Sequence, residues 1–477
     1  MANNETTAGG DEAVAPGISA PRLSLREKIG YSTGDAASNL YFQTFVVFLP
    51  IFYTDVFGLP AAAMGTMFLI ARIWDAVTDP VMGMIADRTN SRWGKFRPYI
   101  FTMAIPMALV GVLTFTTPEY SASGKLIYAY ITYILLMMMY TAVNVPYSAL
   151  MGVITPNSQE RTVVSSFRFV AAFVGQTIVG AATLLLVSYF GAGNEQAGWQ
   201  MTMGAYGLLA VLLLFITFIS TRERVLPPKE QQTNIRQDLK ELVRNRPWVL
   251  IAVATVFQLI YIVMRGSSTP YYFRYFVLDQ QMSLFGLDIK LTYEVFTSSF
   301  VTAGTIATLT GAILTRLFSD KIDKKNVYSG FLITSALFSC LFYFLQPGNV
   351  MPMFILNILV SFFFGSVSVL QWAIYTDTAD YGEWKFGRRA TGLVMAASLF
   401  ALKIGLTFGG AFVGWTLDLF GFVPLVVQSP ETITGIRLLM SVFPAIFGIT
   451  GGLIMLAYPL TNKTMVNIEK DLTARRG

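Results

Sequence analysis

Two acidic residues, Asp75 and Asp79, stand four positions apart inside an apolar stretch of the chain. If that stretch is a helix, the two side chains share one face and their carboxylates lie close together. Carboxylates at such short range resist joint ionisation unless a cation or a proton joins them. Hydroxyl oxygens from Thr78 and Thr141 could complete the shell of a hard cation. The pair therefore predicts a site that binds a cation or a proton.

Several other ionisable residues lie in equally apolar stretches. Each costs about 2.5–3.5 kcal/mol at the centre of a membrane helix, so it usually faces a cavity or a partner. They are Asp35, Arg72, Arg168, Arg265 and Lys403. Two simpler interpretations stay open: Asp75 and Asp79 only neutralise Arg72 and Lys403, and Asp35 and Arg168 only neutralise each other.

A polar stripe runs along another apolar stretch, where Tyr140, Asn144 and Ser148 recur every four residues. Hydroxyl and amide groups of this kind, together with a charged pair and an aromatic face, recognise sugars. Trp372 and Tyr375 are candidates for the aromatic face, and so are Tyr41 and Tyr147. For any single member of the stripe, packing between helices is an equally good explanation.

The composition excludes several classes of protein. Hydrophobic residues make up 54% of the 477 residues and charged residues 13%, whereas about 25% charge is usual in soluble domains. The chain is therefore an integral membrane protein. It has no histidine, which excludes histidine relays and histidine metal sites. Its only cysteine, Cys340, excludes intrachain disulfides, and we expect no cofactor.

Apolar runs of about 20 residues, the length that crosses a bilayer, recur along most of the chain. They predict an all-α membrane protein with twelve transmembrane helices, at residues 29–54, 61–86, 99–116, 125–152, 163–190, 199–220, 248–278, 293–318, 327–345, 351–376, 390–421 and 435–459. We expect two six-helix lobes at residues 25–220 and 248–460, a linker at 221–247, a disordered tail at 1–24 and a second tail at 461–477. In such a layout the substrate site lies between the lobes.

Basic residues set the direction of the helices, because cytoplasmic loops carry an excess of Lys and Arg. The segments that follow the second, sixth, eighth and tenth predicted helices are rich in them, whereas residues 190–198 and 346–350 contain none. The linker and both termini are therefore predicted to be cytoplasmic. Membrane topology accounts for the formal charge of +6, and nothing favours nucleic acid as a partner.

Four segments resemble the glycoside–pentoside–hexuronide:cation symporters, a family of the major facilitator superfamily. They are residues 53–59 (YTDVFGL), 71–80 (ARIWDAVTDP), 92–98 (RWGKFRP) and 380–385 (DYGEWK). The similarity runs from about Ser24 to Pro459. The resemblance implies two lobes that rock about a central site and carry a sugar together with a cation.

The resemblance also implies roles for individual residues. Asp75, Asp79 and Thr141 match positions of the family's cation site, and Asp35, Tyr140 and Arg168 match its sugar site. Lys403 matches a lysine linked to both sites. The departures from the family's pattern are Gly34 in place of a lysine, Asn144 in place of an acid, Ser148 and Ser368 in place of two tryptophans, and Thr78 in place of an asparagine. These departures leave the identity of the sugar open.

Arg265 is an additional base in this set. It opens the hypothesis of an anionic substrate such as a hexuronide, whose carboxylate it would help to hold. The alternative is that Arg265 reaches the membrane interface or bonds to backbone carbonyls.

A faint repeat joins two basic, aromatic segments, one in each half of the chain. We expect these segments to form gate contacts on the cytoplasmic side, with anchoring to lipid headgroups as the alternative. The residues concerned are Arg92, Lys95, Arg97, Asp380, Glu383 and Arg388.

Together these features predict a cytoplasmic (inner) membrane symporter, not an enzyme. It would couple Na⁺, H⁺ or Li⁺ to the uptake of a glycoside, pentoside or hexuronide and act as a monomer in the lipid bilayer. One rival is a transporter of the same fold for another solute, such as a lysolipid or a drug. A membrane enzyme or receptor would need a catalytic constellation or a soluble domain, and the sequence offers neither.

Overall fold

The computed structural model describes residues 23–155, 158–224, 235–284, 287–387 and 391–476. Most of the predicted N-terminal tail, and residues 225–234 of the predicted linker, lie outside this part of the chain. Their predicted character stays a prediction, as do the lobe boundaries.

The first half of the described chain consists of helices joined by short loops. They are α1 (Leu25–Gln43), α2 (Leu49–Ile51), α3 (Ala61–Arg88), α4 (Arg97–Thr102), α5 (Ala104–Thr114), α6 (Ala122–Ile154), α7 (Ser158–Gly191) and α8 (Glu195–Ser220). Wider π-helical turns at Thr44–Phe48 and Phe52–Val56 join α1 and α2 into one span, Leu25–Val56.

The second half repeats this plan after a short linker helix, α9 (Ile235–Arg244). Its helices are α10 (Arg246–Tyr271, extended by a π-helical turn to Val277), α11 (Tyr293–Ser319), α12 (Lys324–Leu341), α13 (Val350–Phe386), α14 (Thr391–Leu419), α15 (Pro430–Met440), α16 (Val442–Leu456) and α17 (Asn462–Arg476). A β-hairpin, β1 (Gln280–Leu284) with β2 (Leu287–Leu291), follows α10. The hairpin and the helical C-terminal segment are features that hydropathy did not predict.

In the described residues, eleven helices are long and apolar enough to cross a membrane. The remaining predicted span, the third, is divided at Met103 into α4 and α5. Pro106 explains the division, because it has no N–H to bond the carbonyl of Thr102 and its ring crowds that carbonyl. The predicted fold class, an all-α membrane protein of two six-helix lobes, is confirmed.

The lobes meet closely where α3 crosses α14. A Cβ atom on Gly65 would lie 2.7 Å from the carbonyl oxygen of Ala411, and one on Gly414 would lie 2.4 Å from that of Ala61. Both positions therefore need glycine, as at close helix crossings in other membrane proteins.

Further contacts between the lobes lie on the face opposite the linker. The hydroxyls of Thr54 and Tyr271 are 2.8 Å apart. Arg274 lies between two acids of the first lobe, with Nε 3.4 Å from Asp55 and Nη2 2.8 Å from Glu195. The lobes are thus closed on this face.

Candidate functional site

The acidic pair of α3 forms the centre of a cluster that draws on both lobes. The Thr141 hydroxyl on α6 lies 2.7 Å from Oδ1 of Asp75 and 2.9 Å from Oδ1 of Asp79. The ammonium group of Lys403, on α14, donates to Oδ2 of Asp75 at 3.0 Å and to Oδ2 of Asp79. The structure thus brings to the two acids a hydroxyl and a cation that lie far from them in the sequence.

Thr141 has a single hydroxyl proton, so it can donate to only one of the two carboxylates at a time. The other short contact then sets a hydroxyl oxygen against a carboxylate oxygen. A proton on that carboxyl group, or a cation between the oxygens, would remove this mismatch. The Oδ1 side of the pair is therefore where an added positive charge gains most.

Exposure differs sharply between the two acids. Asp75 is only 2% exposed, whereas the side chains of Asp79 and Lys403 are 28% and 26% exposed. An ion would therefore reach the pair from the side of Asp79.

Two other predicted partners lie at the edge of the cluster. Nη1 of Arg72 is 3.7 Å from Oδ2 of Asp75, so this arginine adds a second positive charge nearby. The Thr78 hydroxyl donates to the backbone carbonyl of Asp75 at 3.3 Å instead of to either carboxylate. This contact does not support the predicted role of Thr78 as a cation ligand, because the hydroxyl is bonded to a backbone carbonyl and not to a carboxylate.

Asp35 and Arg168 form a second charged centre, between α1 and α7. Arg168 donates to both carboxylate oxygens, from Nε at 2.6 Å and from Nη2 at 3.1 Å. Both side chains keep some exposure, 16% for Asp35 and 25% for Arg168. A partly exposed, bidentate pair offers both acceptors and donors to a hydroxyl-rich ligand.

The polar stripe of α6 is only partly aimed at these centres. Asn144 accepts from the Ser38 hydroxyl at 2.7 Å and donates to the carbonyl of Tyr140. The ring of Tyr140 packs edge to face against Phe45, with ring centroids 6.1 Å apart. Ser148 is exposed, and no described contact links it to Asp35 or Arg168.

Arg265 and Trp372 lie elsewhere, inside the second lobe. Arg265 is buried, donates to Asn357 at 3.0 Å and faces the rings of Phe300 and Phe342. Trp372 packs on Tyr375, with ring centroids 6.1 Å apart. No described contact links either residue to the Asp35–Arg168 pair, and the contacts of Arg265 lie within its own lobe.

The first expected gate segment, residues 92–97, contacts the start of the predicted linker. The backbone N–H groups of Lys95 and Arg97 donate to the Glu223 carboxylate at 2.8 and 3.1 Å, and Arg92 stacks on Trp93. Asp380 and Glu383 lie near the end of α13, and Arg388 is outside the described residues. A gate role for these residues stays a prediction.

Sequence reasoning gave too little weight to one residue of the site, Tyr147. Its hydroxyl donates to Oδ2 of Asp35 at 2.6 Å, and the guanidinium carbon of Arg168 lies 5.1 Å from the centroid of its ring. Tyr147 does not share the four-residue spacing of Tyr140, Asn144 and Ser148 in the polar stripe. The one available signal was its position next to Ser148, three residues after Asn144.

Comparison with known proteins assigns this chain to a family. Residues 30–462 match the family described as MFS/sugar transport protein. An Escherichia coli (strain K12) protein, provisionally named a glycoside/cation symporter, is 38% identical over 457 residues, which is 95% of this chain and 96% of that protein. The isoprimeverose transporter of Lactiplantibacillus pentosus is 34% identical and covers 86% of this chain and 84% of its own length.

The fold agrees with this assignment. The inward-open structure of the xylose transporter XylE from E. coli superposes with a TM-score of 0.59 at 15% identity, over 94% of this chain and 98% of that one. The family resemblance seen in the motifs is thus confirmed. The chain belongs to the MFS/sugar transport family, and it is a multi-pass membrane protein that works as a sugar symporter, not an enzyme.

Proposed function

We propose that the protein uses a cation gradient to accumulate a glycoside, pentoside or hexuronide by alternating access between the lobes. The cluster of Asp75, Asp79, Thr141 and Lys403 is the observation that carries this proposal. In the present state Lys403 supplies the positive charge that the acidic pair needs. A coupling cation, Na⁺, H⁺ or Li⁺, that binds beside Thr141 on the Oδ1 side would supply that charge in its place.

The position of Lys403 suggests how binding is coupled to movement. Its helix, α14, belongs to one lobe, and the two acids belong to the other. A cation that displaces the ammonium group would release this tie and leave Lys403 free to turn toward the sugar. Because linkage is reciprocal, a cation that raises sugar affinity must itself bind more tightly when sugar is present.

Asp35, Arg168, Asn144 and Tyr140 are the proposed sugar ligands. We favour a neutral glycoside over a hexuronide, because Arg168 is already bound to Asp35 and Arg265 lies inside the second lobe. The polar character of this centre also disfavours a lysolipid or a drug as substrate. We further propose an inner-membrane location with the linker and both termini in the cytoplasm, on the strength of the basic loops.

Uptake into membrane vesicles tests the proposal. The labelled panel would be methyl β-D-xyloside, methyl α- and β-D-glucoside and methyl β-D-glucuronide, each with and without an inward Na⁺ or H⁺ gradient. We expect gradient-dependent accumulation of a neutral glycoside. Asp87→Asn is the matched control for changes in the acidic pair, because Asp87 is exposed near the end of the same helix. Equal uptake with and without every gradient would refute coupling.

A further inference from the structure

Tyr147 and Tyr31 form a symmetrical pair between α6 and α1. The Tyr31 hydroxyl donates to the carbonyl of Tyr147 at 2.8 Å, and the Tyr147 hydroxyl lies 2.9 Å from the carbonyl of Tyr31. Their rings stack with centroids 4.7 Å apart. The symmetry ends at one contact, since only Tyr147 also reaches Asp35, at 2.6 Å. A charged acceptor at shorter range is the stronger partner, so the single proton of Tyr147 goes to Asp35.

The contact with Tyr147 decides which parts of the charged pair remain for a ligand. A carboxylate has about four lone-pair positions, two on each oxygen. Among the described residues, Oδ2 of Asp35 accepts from both Tyr147 and Nε of Arg168, whereas Oδ1 accepts only from Nη2 of Arg168. Within the described chain, Nη1 of Arg168 has no hydrogen-bond partner. One acceptor position on Asp35 and one amino group of Arg168 thus remain for a ligand.

Gly34 makes this arrangement possible. A Cβ atom at this position would lie 2.4 Å from Cε2 of Tyr147. Any side chain there would push the ring away from Asp35 and from beneath the Arg168 guanidinium. The glycine and the tyrosine therefore act together to fix the charged pair.

We propose that Tyr147 is a positioning residue for sugar recognition. Its hydroxyl holds Asp35 against Arg168. Oδ1 of Asp35 then accepts a hydrogen bond from one sugar hydroxyl, and Nη1 of Arg168 donates one to the adjacent hydroxyl. This inference rests on the proposed function. It specifies how the sugar site of the protein recognises its substrate.

Tyr147→Phe and Tyr31→Phe make a matched pair for the test. Each removes one hydroxyl from the same stacked pair, but only Tyr147→Phe removes a hydrogen bond to Asp35. With the purified protein in liposomes, and with the neutral glycoside of the panel that the unmodified protein accumulates best, we expect Tyr147→Phe to raise KM roughly tenfold, the effect of losing a hydrogen bond to a charged group. Vmax should change little, and Tyr31→Phe should leave KM near its original value.

Monodeoxy analogues of the same glycoside test the paired hydroxyls. The unmodified protein should discriminate against loss of either of two adjacent hydroxyls, and Tyr147→Phe should weaken that discrimination. Gly34→Ser reaches the same contact from the other side and should also raise KM, which keeps the test valid if Tyr147→Phe fails to fold. Cation binding without sugar, measured on each sample, reports correct folding.

These measurements distinguish failure of the positioning role of Tyr147 from failure of the proposed transport function. Equal KM values for Tyr147→Phe and Tyr31→Phe, with normal uptake by the unmodified protein, would overturn the positioning role alone. If the unmodified protein accumulates no glycoside under any gradient, the proposed function falls and the inference falls with it.

Discussion

The ammonium group of Lys403 lies 3.0 Å from Oδ2 of Asp75, across the boundary between the two lobes. This contact joins α14 to the most deeply buried acid of α3, and the same ammonium also binds Asp79. An internal cation therefore competes with any external one for the acidic pair. The competition gives the site a physical reason to couple ion binding to movement of the lobes.

Removal of this internal cation should favour the external one. We expect Lys403→Gln to bind the coupling cation about tenfold more tightly in the absence of sugar, a gain of about 1.4 kcal/mol, and to lose uphill sugar accumulation. Isothermal titration of the purified protein with Na⁺ and Li⁺, together with pH-dependent binding, would measure this. Lys321→Gln is the control, because Lys321 is an exposed lysine between α11 and α12. Unchanged or weaker cation binding in Lys403→Gln would contradict the competition.

The Thr141 hydroxyl contacts both acids and should be a direct ligand of the cation. Thr141→Val keeps the shape of the side chain but removes this oxygen. We expect the cation concentration for half-maximal uptake to rise roughly tenfold, as for the loss of one charged contact, and Thr141→Ser to restore most of the affinity. Identical behaviour of the valine and serine variants would show that the hydroxyl is not a ligand.

The contacts of Asp55 with Arg274 should hold the lobes closed on the face opposite the linker. Asp55→Asn should therefore shift the population toward opening on that face. Spin labels at Glu119→Cys and Val427→Cys, in a Cys340→Ser background, would report the distance between the lobes. We expect the longer distance to gain population in Asp55→Asn. An unaltered distance distribution would mean that the contact does not control closure.

We expect Arg265 to affect the packing of the second lobe and not the preference for a charged or a neutral substrate. It is 4% exposed, and its Nε and Nη2 have no hydrogen-bond partner in the described structure. We expect Arg265→Met to leave the uptake ratio of methyl glucoside to methyl glucuronide unchanged, because a buried cation without an ion-pair partner contributes little that a packed apolar side chain cannot replace. A selective loss of glucuronide uptake would restore the idea that Arg265 binds a carboxylate.

The sequence predicted the features that depend on length, hydropathy and local spacing. Residues Asp75 and Asp79 share a face because a four-residue spacing on a helix leaves no other arrangement. The division at Met103 required attention to Pro106 inside an apolar run, which hydropathy alone does not register.

Features that depend on the rotation of a helix about its axis were harder to predict. Arg265 lies at membrane depth, but depth does not tell whether a side chain faces the central site or its own lobe. Tyr147 was named only as a possible stacking surface for the same reason, because its contact with Asp35 depends on how closely α1 approaches α6. That approach depends on Gly34, whose role is visible only when both helices are in place.

Sugar transport by the doubly neutralised variant Asp75→Asn/Asp79→Asn, in liposomes with an imposed cation gradient, tests the central claim most directly. We predict that this variant loses uphill accumulation but retains exchange of labelled for unlabelled sugar, while Asp87→Asn accumulates sugar normally. Accumulation by the double variant equal to that of the unmodified protein would show that the coupling ion does not bind at this pair.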